Sequence, residues 1–201
     1  MSRPAGPAKG FTLVEILVVM AILSMLMAMV AVAVSRAPSA KNRIVCMNNL
    51  RQLGALLAES GIEGKVRQIP GPGHLLQAYE RGWVLEGDER VFLCPADPEW
   101  AESGKQGFSA RYGDIDLDRP DPRLCSYLVR DWKRAPVRRD SRRREPVALC
   151  PHHADGTIVL YHDGSVEHLD REALGLGPKE PLVVGPDASD ERLRVFPSTA
   201  R

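Results

Sequence analysis

The sequence predicts an α+β protein in which a long N-terminal helix packs on a small antiparallel β-sheet head domain. Three observations predict it: a nearly uncharged apolar run at residues 11–34, a helical apolar face at residues 40–60, and two β-rich runs joined by Asp163-Gly164. The 201 residues leave room for one soluble domain beyond the helix. With 27 basic and 26 acidic side chains, bulk charge does not favour a polyanionic partner.

The apolar run predicts a single-pass membrane segment. Between residues 11 and 34 the only ionisable side chain is Glu15. A helix of this length reaches about 36 Å, enough to cross a hydrocarbon core of about 30 Å. A secretory signal peptide has a shorter apolar core followed by a small-residue cleavage site, whereas here the small residue, Gly10, comes first. The alternative is an uncleaved anchor whose Glu15 extends to the lipid interface.

Residues 9–15, Lys-Gly-Phe-Thr-Leu-Val-Glu, closely resemble the cleavage and methylation signal of type IV pilins and type II secretion pseudopilins. The resemblance implies a leader peptide at residues 1–10, a prepilin peptidase that cuts between Gly10 and Phe11, and N-methylation of Phe11. It implies that Glu15 serves assembly with neighbouring subunits. It also implies a pilin-like fold and an inner-membrane protein with a cytoplasmic N-terminus and a periplasmic head, which then enters a pilus or pseudopilus.

The second part of the helix is predicted at residues 35–60, with a kink or interruption at Pro38. One helical face is marked by residues that recur at spacings of four, three and four, namely Cys46, Leu50, Leu53 and Leu57. Residues 46–54, with the pattern Cys-x-Asn-Asn-Leu-x-Gln, resemble a branch of pilin-like proteins that is abundant in planctomycetes.

The runs at residues 157–162 and 165–169 flank Asp163-Gly164 and predict a hairpin. We expect a two-residue type I′ turn, which needs positive φ at both central residues. Nine residues separate His153 from Asp163, a spacing similar to the C-terminal H-x9-DG motif of the same branch. We expect His153 to make a structural hydrogen bond across this hairpin.

The head domain is predicted at residues 61–174, followed by an extended tail at residues 175–201 that is rich in Gly, Pro and charge. The further elements predicted are a short helix at residues 74–81 and strands at residues 91–93, 126–129, 145–150 and 192–196.

The four cysteines, Cys46, Cys94, Cys125 and Cys150, lie in an oxidising compartment if the head is periplasmic, and they predict two disulfides. Sequence alone leaves all three pairings open, and free buried thiols are the alternative. The resemblance to the same branch implies Cys46–Cys94, which leaves Cys125–Cys150.

Asp114, Asp116 and Asp118 resemble the start of a calcium loop. The EF-hand pattern fails, because Arg119 and Cys125 stand where Gly and Glu are required. We therefore favour a solvated acidic loop and keep calcium as the only candidate cofactor. The histidines at positions 152, 153, 162 and 168 are not predicted to share one metal.

Residues 130–144 are strongly basic and include Trp132. A minor pilin could bind DNA or another anionic ligand through such a loop, but a mobile loop kept soluble by its charge is the interpretation we favour.

The sequence contains no recognisable nucleophile, phosphate-loop or metalloprotease motif, so we predict no enzyme. The resemblance implies a structural subunit whose partners are the prepilin peptidase, the inner membrane, other pilin subunits and the filament assembly machinery. Besides the DNA-binding minor pilin, a processed membrane-anchored surface protein that does not polymerise remains an alternative.

Overall fold

A computed structural model of the chain describes residues 12–62, 66–98, 112, 115–136 and 144–198. The chain divides into two compact units, Met1–Ala40 and Lys41–Arg201. The described part has the predicted α+β composition. Its longer elements are helices α1 (Leu13–Ile62) and α2 (Gly73–Glu80) and strands β1 (Leu128–Val129), β2 (Pro146–Cys150), β3 (Gly156–Tyr161) and β4 (Val166–Asp170).

Helix α1 is a single element of 50 residues, so the secondary structure is not interrupted at Pro38. Its segment Leu13–Val30 has a mean hydropathy of 2.7 and is long and apolar enough to cross a membrane. In the second unit, Cys46, Leu50 and Leu53 are fully buried, which confirms the predicted apolar face. Each buried leucine contributes about 1.5–3 kcal/mol relative to an exposed one, so this face fixes residues 41–62 of the helix within the second unit.

The four strands form one antiparallel sheet in the order β1-β2-β3-β4. Every residue of β2 and β3 is buried, so the two central strands are covered on both faces. Ile158 and Leu160 join the apolar cluster that includes the α1 leucines, whereas Val159 joins a second cluster that includes Phe196. This alternation is the period of two expected for a strand. It places the sheet between the part of α1 that contains Leu50 and Leu53 and the C-terminal segment, residues 175–198.

Two predicted strands are wrong. Residues 91–93 lie in and just after a 3₁₀ helix, Glu89–Phe92, and residues 192–196 lie in and just after another, Glu191–Leu193. The second of these is started by Asp190, whose Oδ1 accepts a hydrogen bond from the backbone N–H of Arg192 at 2.8 Å.

The C-terminal segment is also not simply extended, because Leu193 and Phe196 are buried against the sheet. Their spacing of three residues fits a short helical turn that places two apolar side chains on one side.

The β3–β4 hairpin has a three-residue loop, not the predicted two-residue type I′ turn. The backbone N–H of Tyr161 donates to Ser165 O at 2.9 Å, and that of Gly164 donates to Tyr161 O at 3.0 Å. Gly164 has a φ of 77°, while no non-glycine residue in the described ranges has positive φ, so Asp163 cannot occupy a type I′ position. Asp163 instead accepts a hydrogen bond from the N–H of Ser165 at 2.9 Å.

Replacing Gly164 with valine should lower the free energy of unfolding by about 1–3 kcal/mol, because a β-branched residue is strained at this φ. The cause is conformational and not steric, since the nearest atom to an added Cβ is Gly54 O at 4.0 Å. Gly164→Asn is the matched control, because asparagine tolerates the left-handed region. Urea unfolding of the detergent-solubilised chain, followed by tryptophan fluorescence, measures the difference. Equal stability of the valine variant and the wild type would contradict the strained turn.

Candidate functional site

The first described residues form a reciprocal cap at the start of α1. The backbone N–H and the hydroxyl of Thr12 both donate to Glu15 Oε2 at 2.8 Å, and the N–H of Glu15 donates to Thr12 Oγ1 at 3.2 Å. This is a capping box, in which two free donors at a helix start are satisfied by each other's side chains. Thr12 was not among the predicted site residues, although Thr-x-x-Glu before an apolar run is a known signal for such a box.

The apolar side chains that follow the cap are exposed. Leu13 is 80% exposed and Met27 is 73% exposed, and the exposed series continues between them. An apolar surface of this extent requires lipid or protein to cover it. The predicted cleavage residues, Gly10 and Phe11, lie outside the described residues.

Residues 7–31 match the family model described as the prokaryotic N-terminal methylation motif. The chain thus carries a prepilin-type N-terminal motif. The matched segment contains the predicted cleavage bond, Glu15 and most of the apolar part of α1, and it supports a type IV pilin-like protein. Together, the motif and the apolar helix are consistent with membrane anchoring. No curated protein and no solved structure matches the chain.

A second candidate site lies inside the head unit. Cys46, Cys94, Cys150 and His153 are all buried, and one potential ligand atom from each lies within 4.8 Å of the other three. The distance from Cys94 Sγ to His153 Nε2 is 3.5 Å. We call these four residues the Cys₃His cluster. They come from α1, from the loop after the first 3₁₀ helix, from the last position of β2, and from the turn before β3.

Helix α1 holds the Cys94 loop through two asparagines that share the face of Cys46. Asn49 Nδ2 donates to Leu93 O at 3.1 Å, and Asn42 Nδ2 donates to Pro95 O at 3.4 Å. These bonds fix the carbonyl groups on both sides of Cys94. Residues 42, 46 and 49 follow the four-then-three spacing of one helical face, so the helix itself places the asparagines around the thiol.

Two thiols of the cluster have pKa values that shift in opposite directions. Hydrogen bonds from Cys150 and Cys46 lower the pKa of the Cys94 thiol far below its ordinary value. Burial raises the pKa of Cys150 well above its ordinary value. A charged thiolate is therefore favoured at Cys94 and opposed at Cys150, because burial removes the water that would stabilise a second charge and the first thiolate repels it.

All four cysteines are free thiols in this structure, so neither predicted disulfide is formed. The structure groups Cys150 with Cys46 and Cys94, whereas the predicted pairing placed Cys150 with Cys125. Cys125 is not a member of the cluster, and its Sγ lies 3.8 Å from Tyr127 O. Burial raises the pKa of Cys125 to about 12, which keeps this thiol protonated and unreactive.

His153 contacts Cys94, which differs from the predicted hydrogen bond across the hairpin. Two of the other histidines lie near polar groups outside the cluster. His152 Nε2 lies 3.1 Å from Ser126 O, and His168 Nε2 lies 3.6 Å from Asp155 Oδ1. Sequence reasoning missed the Cys₃His cluster, for which the only local signal was the Cys150-x-x-His153 spacing that is common in zinc sites.

The predicted calcium residues gain no support from their geometry. Asp116 Oδ1 accepts hydrogen bonds from the N–H groups of Asp118 at 2.9 Å and Arg119 at 3.2 Å, so a local turn explains its position. Asp114 lies outside the described residues. Calcium binding stays a prediction.

The basic segment 130–144 does not present a continuous surface in its described part. Trp132 is buried, with its ring centroid 4.7 Å from that of His74, so it is not available for stacking on a base. Arg130 is buried and pairs with Glu145 at 2.8 Å. Arg138, Arg139, Arg142 and Arg143 lie outside the described residues. Trp132 and Arg130 are therefore not available for the predicted contacts with a nucleic acid.

Proposed function

We propose that this chain is a pilin-like structural subunit of a type IV pilus or a type II secretion pseudopilus. In this proposal a prepilin peptidase cuts between Gly10 and Phe11, Phe11 is N-methylated, and subunits assemble through α1. The observation that carries the proposal is the match of residues 7–31 to the N-terminal methylation motif. The exposed apolar helix and the α+β head support it, and no catalytic step is required.

The proposed assembly contact joins Glu15 of one subunit to the Phe11 amine of its neighbour. Cleavage creates this positive charge four residues before Glu15. When helices leave the lipid headgroups for a filament core, each charge loses water, and an unpaired buried charge costs several kcal/mol. Pairing neutralises both charges and sets the register between subunits. The capping box offers a competing role for Glu15, because its carboxylate also satisfies donors of Thr12.

Glu15→Gln separates these two roles. Glutamine can still complete a capping box but carries no charge, whereas Thr12→Val removes the cap hydroxyl and keeps the carboxylate. If charge pairing drives assembly, Glu15→Leu and Glu15→Gln should both be cleaved normally and should lower subunit content in sheared filaments roughly tenfold or more. Thr12→Val should assemble nearly normally.

Mass spectrometry of shear fractions and of membrane fractions measures assembly and cleavage in the same cells. Normal filaments containing Glu15→Leu subunits would contradict the pairing mechanism. Wild-type protein that is cleaved but never enters a filament would support a processed surface protein instead.

A further inference from the structure

We propose that Cys46, Cys94, Cys150 and His153 bind one zinc ion that has a structural role in the head. Structural zinc sites are tetrahedral and are built from cysteine thiolates and histidine nitrogens, with Cys₃His among the common ligand sets. A set of four protein ligands leaves no open position for substrate or water, which is the arrangement of a structural and not a catalytic centre. The site lies within the unit Lys41–Arg201, so the proposal is independent of leader processing.

The distances fit this coordination. Zinc–sulfur bonds of about 2.3 Å and zinc–nitrogen bonds of about 2.0–2.1 Å place tetrahedral ligand atoms about 3.5–3.8 Å from one another. The Cys94 Sγ to His153 Nε2 distance is 3.5 Å, and the four ligand atoms all lie within 4.8 Å of one another. An adjustment of about 1 Å or less would bring all four onto one ion.

The surroundings of the cluster orient its ligands. The backbone N–H of Ala96 donates to Cys94 Sγ at 3.4 Å, an outer-shell bond of the kind that stabilises a metal-bound thiolate. Thr157 Oγ1 donates to Cys150 O at 2.8 Å and fixes the end of β2. With the asparagine bonds from α1, each of the three cysteine-bearing segments is held in place by polar contacts.

Zinc explains this ligand set better than a disulfide does. A disulfide would join two of the three thiols and would leave the third thiol and the imidazole together in the core. One divalent ion uses all four groups, and three thiolates leave the site with a net charge of about −1. Soft thiolates with one imidazole in tetrahedral geometry are typical of zinc. The ion would join α1 to the Cys94 loop and to the sheet, across long intervening stretches of chain.

The test uses the full chain in detergent, purified under reducing conditions, equilibrated with zinc chloride and freed of loose metal by gel filtration. Elemental analysis should find about one zinc per chain in the wild type. Cys94→Ser and His153→Gln should each lower zinc retention at least tenfold, and Cys125→Ser, a buried cysteine outside the cluster, should retain it. Wild-type zinc content no higher than that of Cys94→Ser would overturn the proposal.

Because a variant can fail to fold, a second measurement uses the wild type alone. Replacement of zinc by cobalt should produce thiolate-to-cobalt charge-transfer bands and the intense visible bands of a tetrahedral cobalt site. A chelator should abolish both sets of bands and should lower the melting temperature of the head. A cobalt spectrum without thiolate charge transfer would overturn the proposal. A disulfide between any two of Cys46, Cys94 and Cys150, found by peptide mapping of protein from cells, would also overturn the proposal. Elemental analysis that finds iron or copper in place of zinc would overturn it as well.

Discussion

Gly10→Glu should leave the leader on nearly every copy of the chain. A peptidase must enclose the extended backbone around the cleaved bond, and glycine leaves that backbone open because it has no side chain. Glutamate adds both bulk and a negative charge directly beside the bond. Intact-mass measurement of the protein from membranes should show residues 1–10 still attached to the variant, whereas we expect the wild type to lack them.

Gly6→Glu is the matched control for this variant. It adds the same charge to the same leader, four residues before the cleavage bond, so it should be processed like the wild type. Failure of both variants would mean that leader charge, and not access to the bond, controls cleavage. Wild-type protein that retains residues 1–10 in cells with a working prepilin peptidase would contradict the proposed function itself.

The features predicted well from sequence are those encoded within one short segment. The apolar face that contains Cys46, Leu50 and Leu53 follows from helical spacing alone, and burial confirms it. The strands on both sides of Asp163-Gly164 follow from β-rich composition, and the structure places β3 and β4 within a residue of the predicted bounds. Local periodicity determines such elements because the burial of one face selects the conformation.

The Cys₃His cluster could not be predicted in the same way, because it joins segments that are far apart in the chain. Sequence spacing relates Cys150 to His153, but it contains no information that Cys46 and Cys94 lie beside them. The same limit explains the predicted pairing of Cys150 with Cys125, which followed by elimination from a family resemblance and not from contacts.

Loop conformation is a third limit on prediction from sequence. The Asp-Gly pair predicts a hairpin but is compatible with more than one loop length. The choice here depends on which strand residues pair, and the observed register has Leu160 opposite Val166. That register is set by burial of β3 between two apolar clusters, which is a property of the whole head and not of the turn.

Gly156→Ala should cause the largest loss of stability in the head among single-methyl additions. Gly156 begins β3 opposite Asp170, with a φ of 152°. An added Cβ would lie 2.1 Å from Leu169 O and 2.8 Å from Asp170 Cα. These are backbone atoms of β4, so they cannot move aside without disturbing the hydrogen bonds between β3 and β4. We expect a loss of about 3 kcal/mol or more, from overpacking and backbone strain together.

Gly175→Ala separates the clash from the strain. Gly175 also has positive φ, 68°, but nothing lies within 4 Å of an added Cβ, so its alanine variant should lose only about 1–2 kcal/mol. Both variants would be unfolded with urea in detergent at one fixed zinc concentration, because a ligand that binds only the folded state changes apparent stability. Equal losses at the two positions would show that β4 does not approach Gly156 as closely as described. A larger loss for Gly156→Ala would confirm that the close approach of the two strands, in the same turn that carries His153, requires glycine.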